Sequence, residues 1–288
     1  MPAQDPLQIA PESYWPDLLR KTPDGHKFNH GHALVVSGGA GRTGAARLAA
    51  RGALRVGAGL VTLGVPPAAQ LEAASQLTAI MLTRLRDARA LEANLEDDRL
   101  SALCIGPALG LQDREAALVA TVLGSHRPTV LDADALTLLA AHPALFYALH
   151  GACVLTPHHG EFARLFRDLA REASASLAAK CAATRQAAQR SGCIILYKGA
   201  ETIIAAPSGQ TAIHSATGDH AAPWLATAGS GDVLAGMITG LLARGLMPFD
   251  AACIGTWLHA EAARQFGPGL IAEDIAEALP MVFRQLGL

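Results

Sequence analysis

The chain has 288 residues, 51% of them hydrophobic and 17% charged, which allows a sizeable core and argues against extended disorder. Its 23 basic and 25 acidic residues leave a net charge of −2, which argues against a nucleic-acid-binding surface; aromatics at 5% are too sparse for base stacking. Five cysteines (Cys104, Cys153, Cys181, Cys193, Cys253) show no CxxC spacing and read as small core residues in a reducing compartment. No apolar run reaches the ~18 residues of a membrane span, and the N-terminus lacks the basic-then-apolar order of a signal peptide. A cytoplasmic protein with no membrane or nucleic-acid partner is expected. Abundant alanine and glycine suit closely packed helices.

Residues 1–24 are proline-rich and read as an irregular lead-in, and residues 25–288 as one domain without an internal repeat or linker. From residue 33 a rhythm begins, in which a short apolar run meets a glycine or proline turn and then a helical pattern. Ala33–Val36 predicts a strand, Ser37–Gly44 a glycine loop, 45–56 a helix and Gly59–Val65 a second strand. Ala102–Ile105, Thr129–Leu131 and Cys153–Leu155 predict further buried strands, each leading into a helix, as in the βα units of a parallel sheet. Ile194–Tyr197, Thr202–Ala206 and Thr211–Ile213 lie close together and predict pairing that is antiparallel in part. Helices return at 232–243, about 250–266 and about 272–286.

Open α/β sheets bind ligands beyond the carboxyl ends of their strands, and the polar and glycine-rich segments fall there. Ala226–Asp232 is the most informative. Gly229, Ser230 and Gly231 allow a tight turn whose N–H groups converge on an anion, and the following helix adds its dipole. Asp232, read as the first helical residue, would serve as a base beside a phosphoryl group, although a loop with an N-cap is the plainer reading. Ser37–Gly44 can cradle a phosphate but lacks a Walker ending and clean GxGxxG spacing. Asp132 could orient a metal through water or hold a ribose, and Asp134 could cap the next helix. Glu161 suits a helix N-terminus and His158 a ligand contact, while His158 and His159 lack a third metal ligand. Lys198–Thr202 is either a surface bend or a cation and amides set against nucleotide phosphate. His259 reads as a packed core histidine, and His214, Asp219 and His220 as part of a mobile loop over the site.

In this order, Gly31–Gly39, Gly44–Ala46 with Gly57–Thr62, Ile105–Gly110, Val130–Leu136, Leu155–Phe162, Lys198–Thr202 and Ala226–Leu234 resemble the ADP/ATP-dependent NAD(P)H-hydrate dehydratases. The resemblance covers about residues 25–288. It implies a ribokinase-like three-layer α/β/α sandwich with a mostly parallel central sheet. It further implies phosphorylation of the 6-hydroxyl of (6S)-hydrated NADH or NADPH by ADP or ATP, followed by loss of phosphate. By the family pattern, Asp232 would be the base, and Gly229, Ser230 and Gly231 would stabilise the transferring phosphoryl group. Ala45, Gly106, His158 and Asp232 would contact the hydrated dinucleotide. Lys198, Gly199, Ala200, Glu201, Thr202 and Gly231 would hold the adenine nucleotide, with Mg2+ bridging its phosphates through ligands the pattern leaves unknown. Three departures bear on loop shape: Ala108 in place of a glycine, Arg42-Thr43, and Ala222–Leu225. The epimerase domain often fused in the family has no counterpart here, so a separate epimerase is implied, and a homo-oligomer is expected. The alternative is a hydroxyethylthiazole or hydroxymethylpyrimidine kinase of the same fold, which releases a stable phosphoester.

Overall fold

The computed structural model describes residues 5–288 except Ser13 and Pro23. Ten strands form one sheet: β1 (Leu7–Gln8), β2 (His32–Val36), β3 (Leu60–Val65), β4 (Met81–Arg84), β5 (Leu100–Ile105), β6 (Thr129–Leu131), β7 (Cys153–Leu155), β8 (Ile194–Tyr197), β9 (Glu201–Ala205) and β10 (Thr211–Ser215). Their order is β1-β10-β9-β8-β7-β6-β5-β2-β3-β4. All neighbours pair parallel except β9, which runs antiparallel to β8 and β10, as the close spacing of those three segments suggests. The chain builds outward from β2 in one direction and from β5 in the other, and a ligand crevice opens where such an order reverses.

Helices cover both faces and make the expected three layers. One apolar core gathers Ala46, Ala49, Ala53, Val233, Met237, Leu241, Ile254 and Leu279 from four helices: Gly44–Arg55, Ser230–Ala243, Pro248–Phe266 and Ala272–Gln285. The other lies across the sheet and holds Leu34, Leu103, Leu118, Phe162 and Phe166. The strands are buried on both faces, which is why they read as continuous apolar runs.

Glycine brings two of these helices into backbone contact. A Cβ built on Gly236 would lie 1.9 Å from the Ala49 carbonyl oxygen, and one on Gly240 would lie 2.5 Å from that of Ala53. Helix Gly44–Arg55 therefore rests directly on helix Ser230–Ala243, and both present their N-termini to the same crevice.

The lead-in is more ordered than its composition suggests. β1 pairs with β10, and Trp15, in the short helix Trp15–Leu19, packs edge-on against Trp257 at 5.7 Å between ring centroids. β4 is the other strand the sequence does not announce.

Candidate active site

The loop before helix Ser230–Ala243 is shaped by Gly229, whose φ of +90° is costly for any residue with a Cβ. A Cβ there would also fall 2.6 Å from Leu48 Cδ1. The helix begins at Ser230, so Asp232 is its third residue rather than its first. The Ser230 N–H donates to the Thr227 carbonyl at 3.4 Å, whereas those of Gly231 and Asp232 have no acceptor within the helix and are available to an anion. Ser230 is anchored twice: its Oγ donates to the Leu225 carbonyl and its own carbonyl accepts from His259 Nε2, both at 2.8 Å. Burial holds the His259 pKa down to about 4, so it is a neutral core histidine, as its apolar helix suggests.

Charged groups meet Asp232 from three strand ends. Asp132, 2% exposed at the end of β6, accepts from Lys198 Nζ and Thr156 Oγ1 through one oxygen, Oδ1, each at 2.8 Å. Burial works to lower the Lys198 pKa, but the Asp132 charge and hydrogen bond outweigh it, so the pKa is raised and the ammonium persists. A Cβ on Gly231 would stand 3.4 Å from Lys198 Nζ, which places the cation beside the turn that opens helix Ser230–Ala243. Glu161 is also buried, its Oε2 accepting from the His158 backbone N–H at 2.8 Å. Burial, reinforced by Asp132 and Glu161 and opposed by Lys198, raises the Asp232 pKa to about 6. A carboxylate ionised at neutral pH, yet with enhanced proton affinity, is suited to general-base work. Asp132 thus holds a lysine through one of its oxygens. Glu161, read from sequence only as a helix-end residue, belongs to the same electrostatic group.

A cavity of about 540 Å³, of the size that takes small ligands, opens on one side of Lys198. Lys198, Gly199, Ala200, Thr202, Ser230 and Gly231 line it, which unites two segments that the sequence marks separately. Glu201 is not in the lining; its carbonyl accepts from Lys180 Nζ at 2.6 Å. His214 is buried on β10 as part of the cavity wall, because the strand extends past Ile213 to Ser215. Asp219 and His220 form an exposed turn.

The remaining sequence-marked residues sit around the crevice. Ala45 is in the first turn of helix Gly44–Arg55, and Gly106 ends β5 with φ +127°, where a Cβ would lie 1.8 Å from the Asp132 carbonyl oxygen. His158 is the N-cap of helix His159–Leu165: its Nδ1 accepts from the Gly160 and Glu161 N–H groups at 3.0 and 3.3 Å. Its proton is thereby left on Nε2. Asp134 does not cap its own helix, because its Oδ2 accepts from the Gly110 N–H at 2.8 Å and ties down the Gly106–Gly110 loop. In that loop Ala108 adopts φ +48°, a conformation that favours glycine. Arg42 approaches Gly110, and Thr43 donates to Glu72, which also accepts from the Gly41 N–H at 2.6 Å. Nothing in the sequence marks Glu72 for this. Pro223–Leu225 forms a 3-10 turn on the cavity wall. Among the described residues, no three His, Cys, Asp or Glu side chains are grouped to hold a metal, and no helix is long and apolar enough to cross a membrane.

The family model described as NAD(P)H-hydrate dehydratase matches residues 33–280. A bifunctional NAD(P)H-hydrate repair enzyme of Moorella thermoacetica is 43% identical over 286 residues, which cover 93% of this chain and 52% of that protein. The chain thus spans about half the length of the first curated relatives it matches. An ADP-dependent (S)-NAD(P)H-hydrate dehydratase of Neisseria meningitidis is 35% identical, over 90% of this chain and 86% of that one. The crystal structure of a Bacillus subtilis ADP/ATP-dependent NAD(P)H-hydrate dehydratase, co-crystallised with ATP/Mg2+, superposes with a TM-score of 0.77. It is 28% identical and covers 97% of this chain and 99% of its own.

Proposed function

Because the chain belongs to the NAD(P)H-hydrate dehydratase family, we propose that it returns (6S)-hydrated NADH and NADPH to the reduced cofactors at the expense of ADP or ATP. The observation that carries this reading is the setting of Asp232, a half-buried carboxylate with its pKa raised to about 6 at the mouth of an anion-binding helix turn.

Asp232 takes the proton of the C6 hydroxyl as its oxygen attacks the terminal phosphorus of the nucleotide, whose bridging P–O bond breaks to release AMP from ADP or ADP from ATP. Charge developing on the phosphoryl oxygens is met by the N–H groups of Gly229, Ser230 and Gly231 and by the Lys198 ammonium. Phosphate is a far better leaving group than hydroxide. The ring-nitrogen lone pair expels it from C6, and loss of a proton from C5 restores the C5=C6 double bond. The nucleotide occupies the cavity beside Lys198–Thr202, and Ala45, Gly106 and His158 face the hydrated ring's side of the crevice. Hard carboxylate oxygens suit Mg2+, but the absence of a ready ligand group among the described residues fits an ion that arrives on the nucleotide phosphates. Asp232 would be the carboxylate to help hold it there.

Residues 25–288 form the catalytic unit in this reading, with 1–24 a lead-in docked upon it. Cytoplasmic location, self-association and cooperation with a separate epimerase belong to the same proposal, and sedimentation tests the second. The activity test is incubation with hydrated NADH and either nucleotide. Recovery of reduced-nicotinamide absorbance with release of phosphate is expected. Accumulation of a stable phosphoester without that recovery would transfer the assignment to a vitamin kinase of the same fold.

A further inference from the structure

A second cavity, of about 760 Å³, lies at the opposite end of the sheet, against the residues that precede β3 and β4. Five cations line it: Arg20 and Lys21 from the lead-in, Arg51 and Arg55 from helix Gly44–Arg55, and Arg244 just beyond helix Ser230–Ala243. In a chain of net charge −2 this concentration is not a matter of composition. Cations at helix C-termini complement the dipole, which accounts for Arg20, Arg55 and Arg244 but not for Lys21 or Arg51.

The charges are poorly neutralised. Glu277 pairs with Arg51 at 2.6 Å and with Arg55. Arg244 donates only to backbone carbonyls, to Val56 at 3.0 Å and Leu19 at 2.7 Å, so its charge stays unmatched. Gly57, at φ +113°, leaves the space that brings two cations together: a Cβ there would lie 2.7 Å from Arg244 Nη1 and 3.5 Å from Lys21 Cε. Partial burial and the neighbouring Arg244 hold the Lys21 pKa below its usual value, the behaviour of a cation lacking a counterion. Beside the charges, Leu54, Leu77 and Phe283 supply an apolar wall.

We propose that this cavity is a binding site for a small phosphate ester, separate from the catalytic crevice. The phosphate would lie against Lys21 and Arg20 in the field of Arg244, and the organic body against Leu54 and Phe283. Two unpaired cations brought into proximity are stabilised by a dianion, and apolar surface beside them favours an ester over free phosphate.

Phenyl phosphate is the probe, titrated calorimetrically into the wild type, Lys21→Glu and Lys198→Ala, with inorganic phosphate as a comparison. The wild type and Lys198→Ala should share a site that Lys21→Glu weakens by about tenfold or more. Turnover in Lys21→Glu should stay within about twofold of wild type, because Lys21 lies outside the catalytic crevice. An unchanged isotherm in Lys21→Glu, or a single site lost only in Lys198→Ala, overturns the proposal. Inorganic phosphate binding as tightly as the ester removes the apolar half of it.

Discussion

Exchanging Asp232 for asparagine should abolish turnover and yet make the protein more stable at neutral pH. The pKa of this carboxyl is raised from 3.8 to about 6 in the fold. That difference corresponds to about 3 kcal/mol of unfavourable ionisation relative to the unfolded chain. The folded state binds the proton more tightly, so acid favours the fold through this group. The contribution is lost as pH rises from about 4 to about 6, and above that the whole cost is borne. Asparagine removes that cost, so Asp232→Asn should gain on the order of 2–3 kcal/mol at pH 7.5. At pH 4 the gain should be small. His259 titrates over the same window with the opposite sign: its pKa falls to about 4 from 6.5, so the fold loses stability as pH drops between those values. Only the difference between wild type and variant isolates Asp232. Urea unfolding followed by tryptophan fluorescence at the two pH values supplies it, and the same samples should show turnover reduced ~10²-fold or more. A variant no more stable than wild type at pH 7.5 would refute the electrostatic account of the site.

Three further outcomes are expected. The acidic limb of kcat/KM should fall near pH 6, and Asp132→Asn should move it down by about one unit, because it removes a repulsive charge and leaves the Lys198 ammonium facing Asp232; a pH–rate profile decides, and an unmoved limb contradicts the coupling. Gly229→Ala should cost at least about 1 kcal/mol in thermal unfolding and lower kcat, since φ +90° and Leu48 both oppose a methyl group. His259→Leu leaves the Ser230 carbonyl without its donor and should destabilise by about 1–3 kcal/mol at pH 7.5. That deficit should shrink as pH falls from 6.5 toward 4, where the wild-type histidine becomes a liability; a deficit that stays constant with pH would count against a buried neutral imidazole.

What could be read from sequence follows from how each element is constrained. Strands β2, β3, β5, β6 and β7 are buried on both faces, so nothing but apolar side chains fits them and the runs are plain. β1 and β4 sit at the two edges, where Leu7 and Met81 remain exposed and no periodic signal survives. The turn that opens helix Ser230–Ala243 was legible because Gly229, at φ +90°, answers to backbone geometry. The roles of Asp132, Glu161 and Glu72 were not, since each depends on partners brought in from distant segments: Lys198 for the first, Asp232 for the second, Gly41 and Thr43 for the third. Asp134 misled because a carboxylate at a helix start usually caps it, whereas here Gly110 claims the oxygen first. Ala108 shows the converse, a position whose positive φ explains why glycine is expected there although the chain supplies alanine.

The glycine seam between helices Gly44–Arg55 and Ser230–Ala243 bears on how the crevice can move. Gly236 and Gly240 fit against Ala49 and Ala53 only in the present register, and a shift of one residue would drive a methyl or larger group into a carbonyl oxygen. The two helices are therefore locked like meshed gears. The residues at which the two helices begin are thereby held at one spacing, so in the proposed reaction donor and acceptor would come to the machinery rather than the machinery to them.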